Sequence, residues 1–567
     1  MKFSLPSSET SKIFKTKLEE KSFEIVLEQV DKEKSHLFHD LDKLEELYLI
    51  ENIAKFREPA FRIHLLGHAF GKNRFNNFCM NIGEKPISKH ASTKEKQEFV
   101  NRIASFEWGD NDQTHAFVNS FELDEGIIPS QKNIEKDLEI LEKPISVYAP
   151  LFSYQSEIAI DTQKQLSFPA ERAIIQIPTG GGKTKIGMEL VTDFLNNHTD
   201  ATVVWLADRQ ELLGQAIKEF KRIWKHRGTK SLTLNRAWDQ YEYVESISGS
   251  RLIIFGLDKL ISFFRKNKKL KADMIVFDEA HHTTAEKYKE KMIELENPGR
   301  TIALGLTATP ARGNEEETEE LMKFYNNHEP IKLNTHDPHL SPIGFLQKIG
   351  VLAKIRSGGE RVIPNPTLDK DMIFTDKEQK DLKKKNKEFT ADVRTKIGQS
   401  RLRNIIILKK MLELSKEGKH ILYFGTSVEQ TNQMNRWLNV LGVNSGFVEA
   451  NTPTERRIDL ISKFQEKKIN VLLNYNVLTT GFDAPVVDTI FIARPTRSVN
   501  TLFQMIGRGM RGPKVKGGTE FCDVYYIEDT FLANVENFDR LYERYNDYFI
   551  KEELPSREPE EEGNEGE

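Results

Sequence analysis

Cysteine is almost missing from this chain of 567 residues: only Cys79 and Cys522 occur, far apart. Two distant thiols build neither a disulfide framework nor a four-thiolate zinc site, so a reducing cytoplasm is the expected setting. Long apolar runs are missing as well. No window reaches the roughly 18 uncharged apolar residues of a spanning helix, so no membrane is expected as a partner. The opening Met1-Lys2-Phe3-Ser4-Leu5-Pro6 runs into polar sequence without the apolar core of a secretory signal. A surplus of positive charge is the third absence, with 82 Lys and Arg against 86 Asp and Glu. Much of the acidic excess lies in residues 551–567, which carry eight acidic and two basic side chains, and the body before them is close to neutral. Such a body gives no electrostatic argument for nucleic acid, although a local cleft can still hold a phosphate backbone. A nucleic-acid function has to be argued from motifs.

Texture along the chain divides it. Residues 1–140 read as a mostly helical accessory domain: Leu41, Leu44, Leu47 and Leu49 recur among charges, and Pro59 breaks the pattern. From residue 141 short apolar runs alternate with amphipathic helices. Ala173–Ile177, Thr202–Leu206, Arg251–Phe255, Met274–Phe277 and Ile302–Leu306 are each strand-length, and each is followed by a turn or helix. That alternation predicts an α/β block on a parallel sheet over 141–330. A polar stretch with an acidic run (Glu315–Glu317) and a basic one (Lys383–Lys387) interrupts it, and 331–400 is expected to be a linker segment. The pattern resumes over 401–545 with His420–Phe424, Asn444–Glu449, Val471–Asn474, Thr489–Ala493 and Cys522–Ile527, a second α/β block. Residues 546–567 are expected to be an acidic, disordered tail.

The strongest local signal is Ile177-Pro178-Thr179-Gly180-Gly181-Gly182-Lys183-Thr184, between a strand and a helix expected to open near Lys185. That context is what a phosphate loop requires. Glycines 180, 181 and 182 let backbone N–H groups close around phosphate oxygens, and a helix N-terminus adds partial positive charge. Thr179 belongs to the same loop. Lys183 would reach the β- and γ-phosphates of ATP, and Thr184 would ligate Mg2+. The strict pattern wants a glycine where Ile177 stands. Further on, Ile275-Val276-Phe277-Asp278-Glu279-Ala280-His281 ends an apolar run in two carboxylates, an unusual pair to bury for packing. At the C-terminal end of a strand the pair makes sense, because ligands of open α/β sheets bind there. Asp278 would hold Mg2+ through water, and Glu279 would orient or deprotonate the attacking water.

Asp-Glu-Ala-His after a phosphate loop resembles motif II of superfamily 2 helicases, and the family's series follows in order between about residues 145 and 530. Tyr154-Gln155 resembles the upstream element whose glutamine reads adenine, with Ser153 where relatives often carry Pro. Trp205 to Leu212, with Arg209 at its centre, resembles motif Ia, a nucleic-acid backbone contact. Gly305-Leu306-Thr307-Ala308-Thr309-Pro310 resembles motif III, which couples hydrolysis to strand contacts. Tyr423-Phe424-Gly425-Thr426-Ser427 resembles motif IV. Leu478-Thr479-Thr480-Gly481-Phe482-Asp483 resembles motif V. By that resemblance Gly481 and Asp483 would face nucleotide, and Thr426, Thr479 and Thr480 nucleic acid. Gln504-Met505-Ile506-Gly507-Arg508-Gly509-Met510-Arg511 resembles motif VI, with Gln504, Arg508 and Arg511 as catalytic candidates. Guanidinium groups suit the charge that a loose phosphoryl transition state spreads over γ-phosphate oxygens. The resemblance implies two tandem RecA-like parallel-sheet domains behind a helical accessory domain. ATP and Mg2+ are the implied cofactors and nucleic acid the implied partner.

Arg494-Pro495-Thr496-Arg497-Ser498, with the motif that follows, looks most like the motor subunits of type I and type III restriction enzymes and related DNA-repair helicases. DNA is therefore favoured over RNA, and anti-phage defence or repair is the context that analogy suggests. An RNA helicase or remodelling ATPase, and an ATP-binding scaffold without turnover, are the competing readings. The N-terminal domain is a candidate surface for a partner protein or a DNA structure. His64 and His68, four apart, lack the Glu of a zinc-protease pattern and are expected to be ordinary histidines. The run Lys383–Lys387 is expected to be a solvated helix face, and Trp108 a core aromatic at a turn.

Overall fold

The computed structural model describes residues 1–14, 17–30, 40–88, 90–128, 138–141, 150–239, 241–245, 249–266, 269–280, 283, 285–308, 315–337, 339–365, 374–383, 388–478, 486–529, 532, 540 and 542. Among these residues the strands are, in chain order, β1 (Leu138–Leu141), β2 (Arg172–Gln176), β3 (Thr202–Ala207), β4 (Leu232–Ala237), β5 (Arg251–Gly256), β6 (Met274–Asp278), β7 (Ile302–Thr307) and β8 (Ile331–Lys332). They continue as β9 (Lys354–Arg356), β10 (Val362–Asn365), β11 (Ile421–Phe424), β12 (Ser445–Val448), β13 (Val471–Asn474), β14 (Thr489–Ile492) and β15 (Phe521–Asp529). The first sheet runs β1-β4-β5-β3-β6-β7-β2-β8; the second runs β10-β15-β14-β11-β13-β12, with β9 also paired to β15. Pairing is parallel throughout except between β1 and β4.

The near-continuous apolar runs follow from burial on both faces. In the first sheet Val203, Trp205, Ile175 and Val276 enter one core, while Val204, Leu206, Ile174 and Phe277 enter the core on the opposite face. The second sheet divides likewise. Leu422, Leu472 and Ile490 join the core shared with the first sheet, and Tyr423, Leu473 and Phe491 join the core of the N-terminal helices.

Every strand expected from the sequence forms. β4 was not among them because Thr233, Asn235 and Arg236 interrupt its apolar run. Asn235 and Arg236 are nevertheless buried, and Asn235 donates to the carbonyl of Val244. Nor is 331–400 simply a connector. β8 extends the first sheet, β9 and β10 pair one after the other along one edge of β15 in the second, and the helix Pro342–Lys348 lies between β8 and β9 in sequence.

The N-terminal region is helical, as expected, with helices including Lys17–Val30, Leu41–Glu51, Pro59–Ala69, Thr93–Ala104 and Asp112–Ser120. Its core is rich in phenylalanine. Arg62 is buried inside it and donates to the carbonyls of Phe56 at 2.5 Å, Phe106 at 2.5 Å and Ala104 at 3.1 Å. Trp108 packs at a turn against Phe56 and Phe117. His64 contacts Glu9 at 3.1 Å and stands edge-on to His68; among the described residues no His, Cys, Asp and Glu group is placed to hold a metal. The helical body docks on the second sheet's outer helices. Phe23 stacks on Trp437 at 6.4 Å, Glu51 pairs with Arg436, and Asp124 meets Lys463 at 2.6 Å and Arg456 at 3.2 Å. Among the described residues, no helix is long and apolar enough to cross a membrane.

Candidate active site

The order β3-β6-β7-β2 sets four C-terminal strand ends side by side. Asp208 follows the first, Asp278 closes the second, Thr307 closes the third, and the glycine loop follows the fourth. The Ile177 N–H donates to the Thr307 carbonyl at 3.1 Å and ties the root of the loop to β7.

The loop is a cradle of nearly bare backbone. Gly180 and Gly182 have φ of +88° and +89°, where any side chain is strained. A Cβ at Gly182 would stand 2.3 Å from Gln155 Nε2, and one at Gly181 would stand 2.4 Å from Ile177 Cγ2. The Gly181 carbonyl is held from behind, accepting from the Tyr154 hydroxyl at 2.9 Å and from Gln155 Nε2 at 3.2 Å. Gly182 caps the helix Lys183–Asn197, so that helix opens at Lys183, two residues before the expected start, and Lys183 and Thr184 begin at its positive end. Gln155 stands directly behind the loop. It is buried, its Oε1 accepts from Phe152 N at 3.0 Å, and its Nε2 is engaged by the loop, so both ends of the amide prop the cradle.

Asp278 is buried at the end of β6. Its Oδ1 accepts from Glu279 N at 3.1 Å, and its Oδ2 has no hydrogen-bond partner among the described residues. Burial first, then the neighbouring charge of Glu279, pushes this carboxyl up to about 7; Lys183 works against the rise and Asp208 adds to it. A lone buried oxygen beside a lysine and a glycine cradle fits a hydrated cation that accompanies phosphate. Glu279 has a φ of +56°, a left-handed turn that carries the chain out of the strand at this residue.

The second sheet supplies the opposite wall. Helix Val499–Ile506 carries Gln504, and the residues after it reach the loop. A Cβ at Gly507 would stand 2.3 Å from Thr179 Cγ2, and one at Gly180 would stand 2.8 Å from Arg511 Nη1. Arg511 also bridges to Leu352 through its backbone. Arg508 is buried, with its Nε donating to the Gln504 carbonyl at 3.3 Å. The phosphate loop, the two carboxylates and the arginine segment therefore converge.

Arg209 precedes the helix Gln210–Arg227 and lies 3.7 Å from Asp208. Across the cleft, Arg494 titrates below its usual range because it is buried and because Arg394 and, more weakly, Arg209 stand near it. Arg394 and Arg494 are themselves largely buried, with Arg494 bonded to Asn476. Thr426 is buried, donating to the Ala493 carbonyl at 3.0 Å and accepting from Arg403 Nη1 at 3.2 Å, so it supports the turn after β11 from beneath. Arg403 in turn pairs with Asp529 at 2.9 Å. Thr309, Thr479, Thr480, Gly481, Asp483 and His281 lie outside the described residues.

Leu346 and Leu352, packed against the glycine loop, and Asp208 were not singled out from sequence. A signal for Leu346 existed: Ser341-Pro342 is a capping residue followed by a first-turn proline, and Ser341 does cap that helix.

Residues 149–312 match the family model of the type III restriction enzyme res subunit, and residues 403–512 match the helicase conserved C-terminal domain. A Saccharomyces cerevisiae protein named as the ATP-dependent helicase IRC3 is 25% identical over 374 residues, spanning 64% of this chain and 50% of its own. The type I restriction enzyme EcoAI endonuclease subunit of Escherichia coli is 23% identical over 415 residues, spanning 70% of this chain and 48% of its own. The chain thus spans about half the length of these two relatives. Among solved structures, the Hef helicase domain of Pyrococcus furiosus aligns at 15% identity with a TM-score of 0.39, covering 69% of this chain and 97% of that one. One polypeptide thus joins a stretch similar to the restriction res subunit to a stretch similar to the helicase conserved C-terminal domain.

Proposed function

We propose that this protein is a helicase-type DNA translocase whose ATP is hydrolysed in the cleft between the two sheets. The observation that carries the reading is the approach of Gly507 and Arg511, from the second sheet, to Thr179 and Gly180 of the glycine loop. A hydrolytic site divided in this way is complete only when both sheets close on the nucleotide. ATP then favours the closed arrangement, and its hydrolysis releases it.

Each residue has a role in that cycle. The loop N–H groups and Lys183 bind and orient the phosphates. Thr184 and Asp278 would hold Mg2+, which supplies charge neutralisation to the phosphates when bound. Glu279 orients the attacking water and takes its proton. Arg508 and Arg511 stabilise the negative charge of the departing phosphoryl group, with Gln504 beside them. Arg209 binds the nucleic-acid backbone, and Thr307, through the loop root, links that contact to the nucleotide.

The DNA preference draws on Arg494-Pro495-Thr496-Arg497-Ser498, on the Thr307-Ala308-Thr309 form of motif III, and on the similarity to a restriction subunit. Genome defence or DNA repair is the context that similarity suggests. ATP hydrolysis measured with DNA and RNA of matched sequence tests the track: stimulation by DNA well above RNA is expected, and stimulation by RNA alone would overturn the DNA reading.

A further inference from the structure

A small helical unit accompanies the motor without a part in the cycle above. Helices Asp376–Leu382 and Ala391–Gly398 share a core of Phe389, Val393, Ile397 and Leu532, with Phe374 and Leu382 packed against it. Its Glu388 reaches the turn that leads into helix Val499–Ile506. One oxygen, Oε1, accepts from Arg497 N at 2.9 Å, from Ser498 N at 2.7 Å and from the Thr496 hydroxyl. The other, Oε2, stands 3.8 Å from Arg494 Nη2.

The turn grips back. Arg497 donates to the carbonyls of Leu382 at 2.6 Å and Asp381 at 3.2 Å, at the end of the unit's first helix, and its guanidinium lies 3.9 Å over the Phe389 ring. Ser498 is at once a donor to Glu388 and the N-cap of the helix, its Oγ accepting from Thr501 N at 3.1 Å. A carboxylate at a helix N-terminus is favoured by the helix dipole, and its bonds to N–H groups are charge-assisted. One carboxylate therefore fixes the backbone immediately ahead of the helix that carries Gln504 and delivers Gly507 to Thr179.

We infer that Glu388 is a positioning residue, setting where Arg508 and Arg511 meet the nucleotide. The inference rests on the reading of those two arginines given above. Glu388 lies outside every helicase motif of the sequence, and it acts through the turn at 496–498 without touching substrate.

The test compares Glu388→Ala, Glu388→Gln, Arg508→Ala and the double variant Glu388→Ala/Arg508→Ala. Nucleic-acid-stimulated ATP hydrolysis is measured with single-stranded DNA and, in parallel, RNA. Glu388→Ala is expected to lower kcat about tenfold or more, as displaced catalytic groups do. KM for ATP should stay within about twofold, because the glycine loop is untouched. Glu388→Gln, whose amide oxygen still accepts hydrogen bonds, recovers much of the loss. The double variant is no slower than Arg508→Ala, since the two act on one contact. Glu378→Gln is the control: Glu378 pairs with Lys396 at 2.8 Å and caps Thr375 in the same small unit without reaching the turn, so it should keep kcat. If Glu388→Ala does not fold, Thr496→Val, which removes one of the three donors, should show a smaller kcat loss, and a wild-type kcat there counts against the inference. Wild-type kcat in Glu388→Ala beside an inactive Arg508→Ala overturns the inference alone. An active Arg508→Ala overturns the reading of the arginines beneath it.

Discussion

At Gly182 backbone and neighbour act together: φ is +89°, and a Cβ would fall 2.3 Å from the buried Gln155 amide. Gly182→Ala is expected to cost about 1–2 kcal/mol from the left-handed backbone alone, before any cost of displacing Gln155. Urea denaturation reads that cost, and the KM for ATP should rise as the cradle opens. Glu279 is the proposed base, so its amide analogue separates binding from turnover. Glu279→Gln should bind ATP as wild type does while kcat falls by about 10²–10⁴; wild-type hydrolysis by this variant would remove the assignment. Asp278 carries a pH signature. Its carboxyl rises from 3.8 to about 7 on folding, so the folded chain holds the extra proton between those values. The stability this group contributes is therefore lost as pH climbs from about 4 to about 7, and the cost stays constant above. Without Mg2+ and nucleotide, Asp278→Asn should melt higher than wild type at pH 8, and by less at pH 5. An equal gap at both values would contradict the assigned cause.

Among the elements, those whose partners lie nearby in sequence were the legible ones. The strand after Arg172, the glycine turn and the helix from Lys183 are local features, and their pattern is unambiguous. β9 and β10 are short, and they exist only because β15, over 150 residues later, offers an edge to pair with. No periodicity within 331–400 reports that edge. Thr426 and Gln155 show the same limit at the site. Their internal partners, the Arg403 guanidinium beneath one and the Gly181 carbonyl beside the other, lie far away in sequence and leave no local signal. The Arg403–Asp529 pair is an element-scale fastener, joining the helix Arg401–Lys416 to the end of β15. Both side chains are buried, so Arg403→Leu should strand Asp529 and cost about 3–5 kcal/mol, read by urea denaturation. Loss of under about 1 kcal/mol would mean that the site relaxes to readmit water.

Over the whole molecule, the helical N-terminal body is fastened to the second sheet through Phe23–Trp437, Glu51–Arg436 and Asp124 with Lys463 and Arg456. Any rotation of that sheet on ATP binding carries the body with it. Sequence texture gave the body's helical character but not its docking side, because an apolar helix face does not name the surface that will cover it. The two sheets meet where Arg511 and Gly507 reach the glycine loop, and that junction is the centre of the account. The most direct measurement is nucleic-acid-stimulated ATP hydrolysis by wild type, Lys183→Ala and Arg511→Ala, with binding of a fluorescent ATP analogue followed in parallel. Stimulated turnover should vanish in Lys183→Ala. In Arg511→Ala it should fall by about 10²-fold or more while the analogue still binds. Arg511→Ala turning over like wild type, or a wild-type rate indifferent to every nucleic acid, would contradict a site completed by the second sheet and driven along a nucleic-acid track.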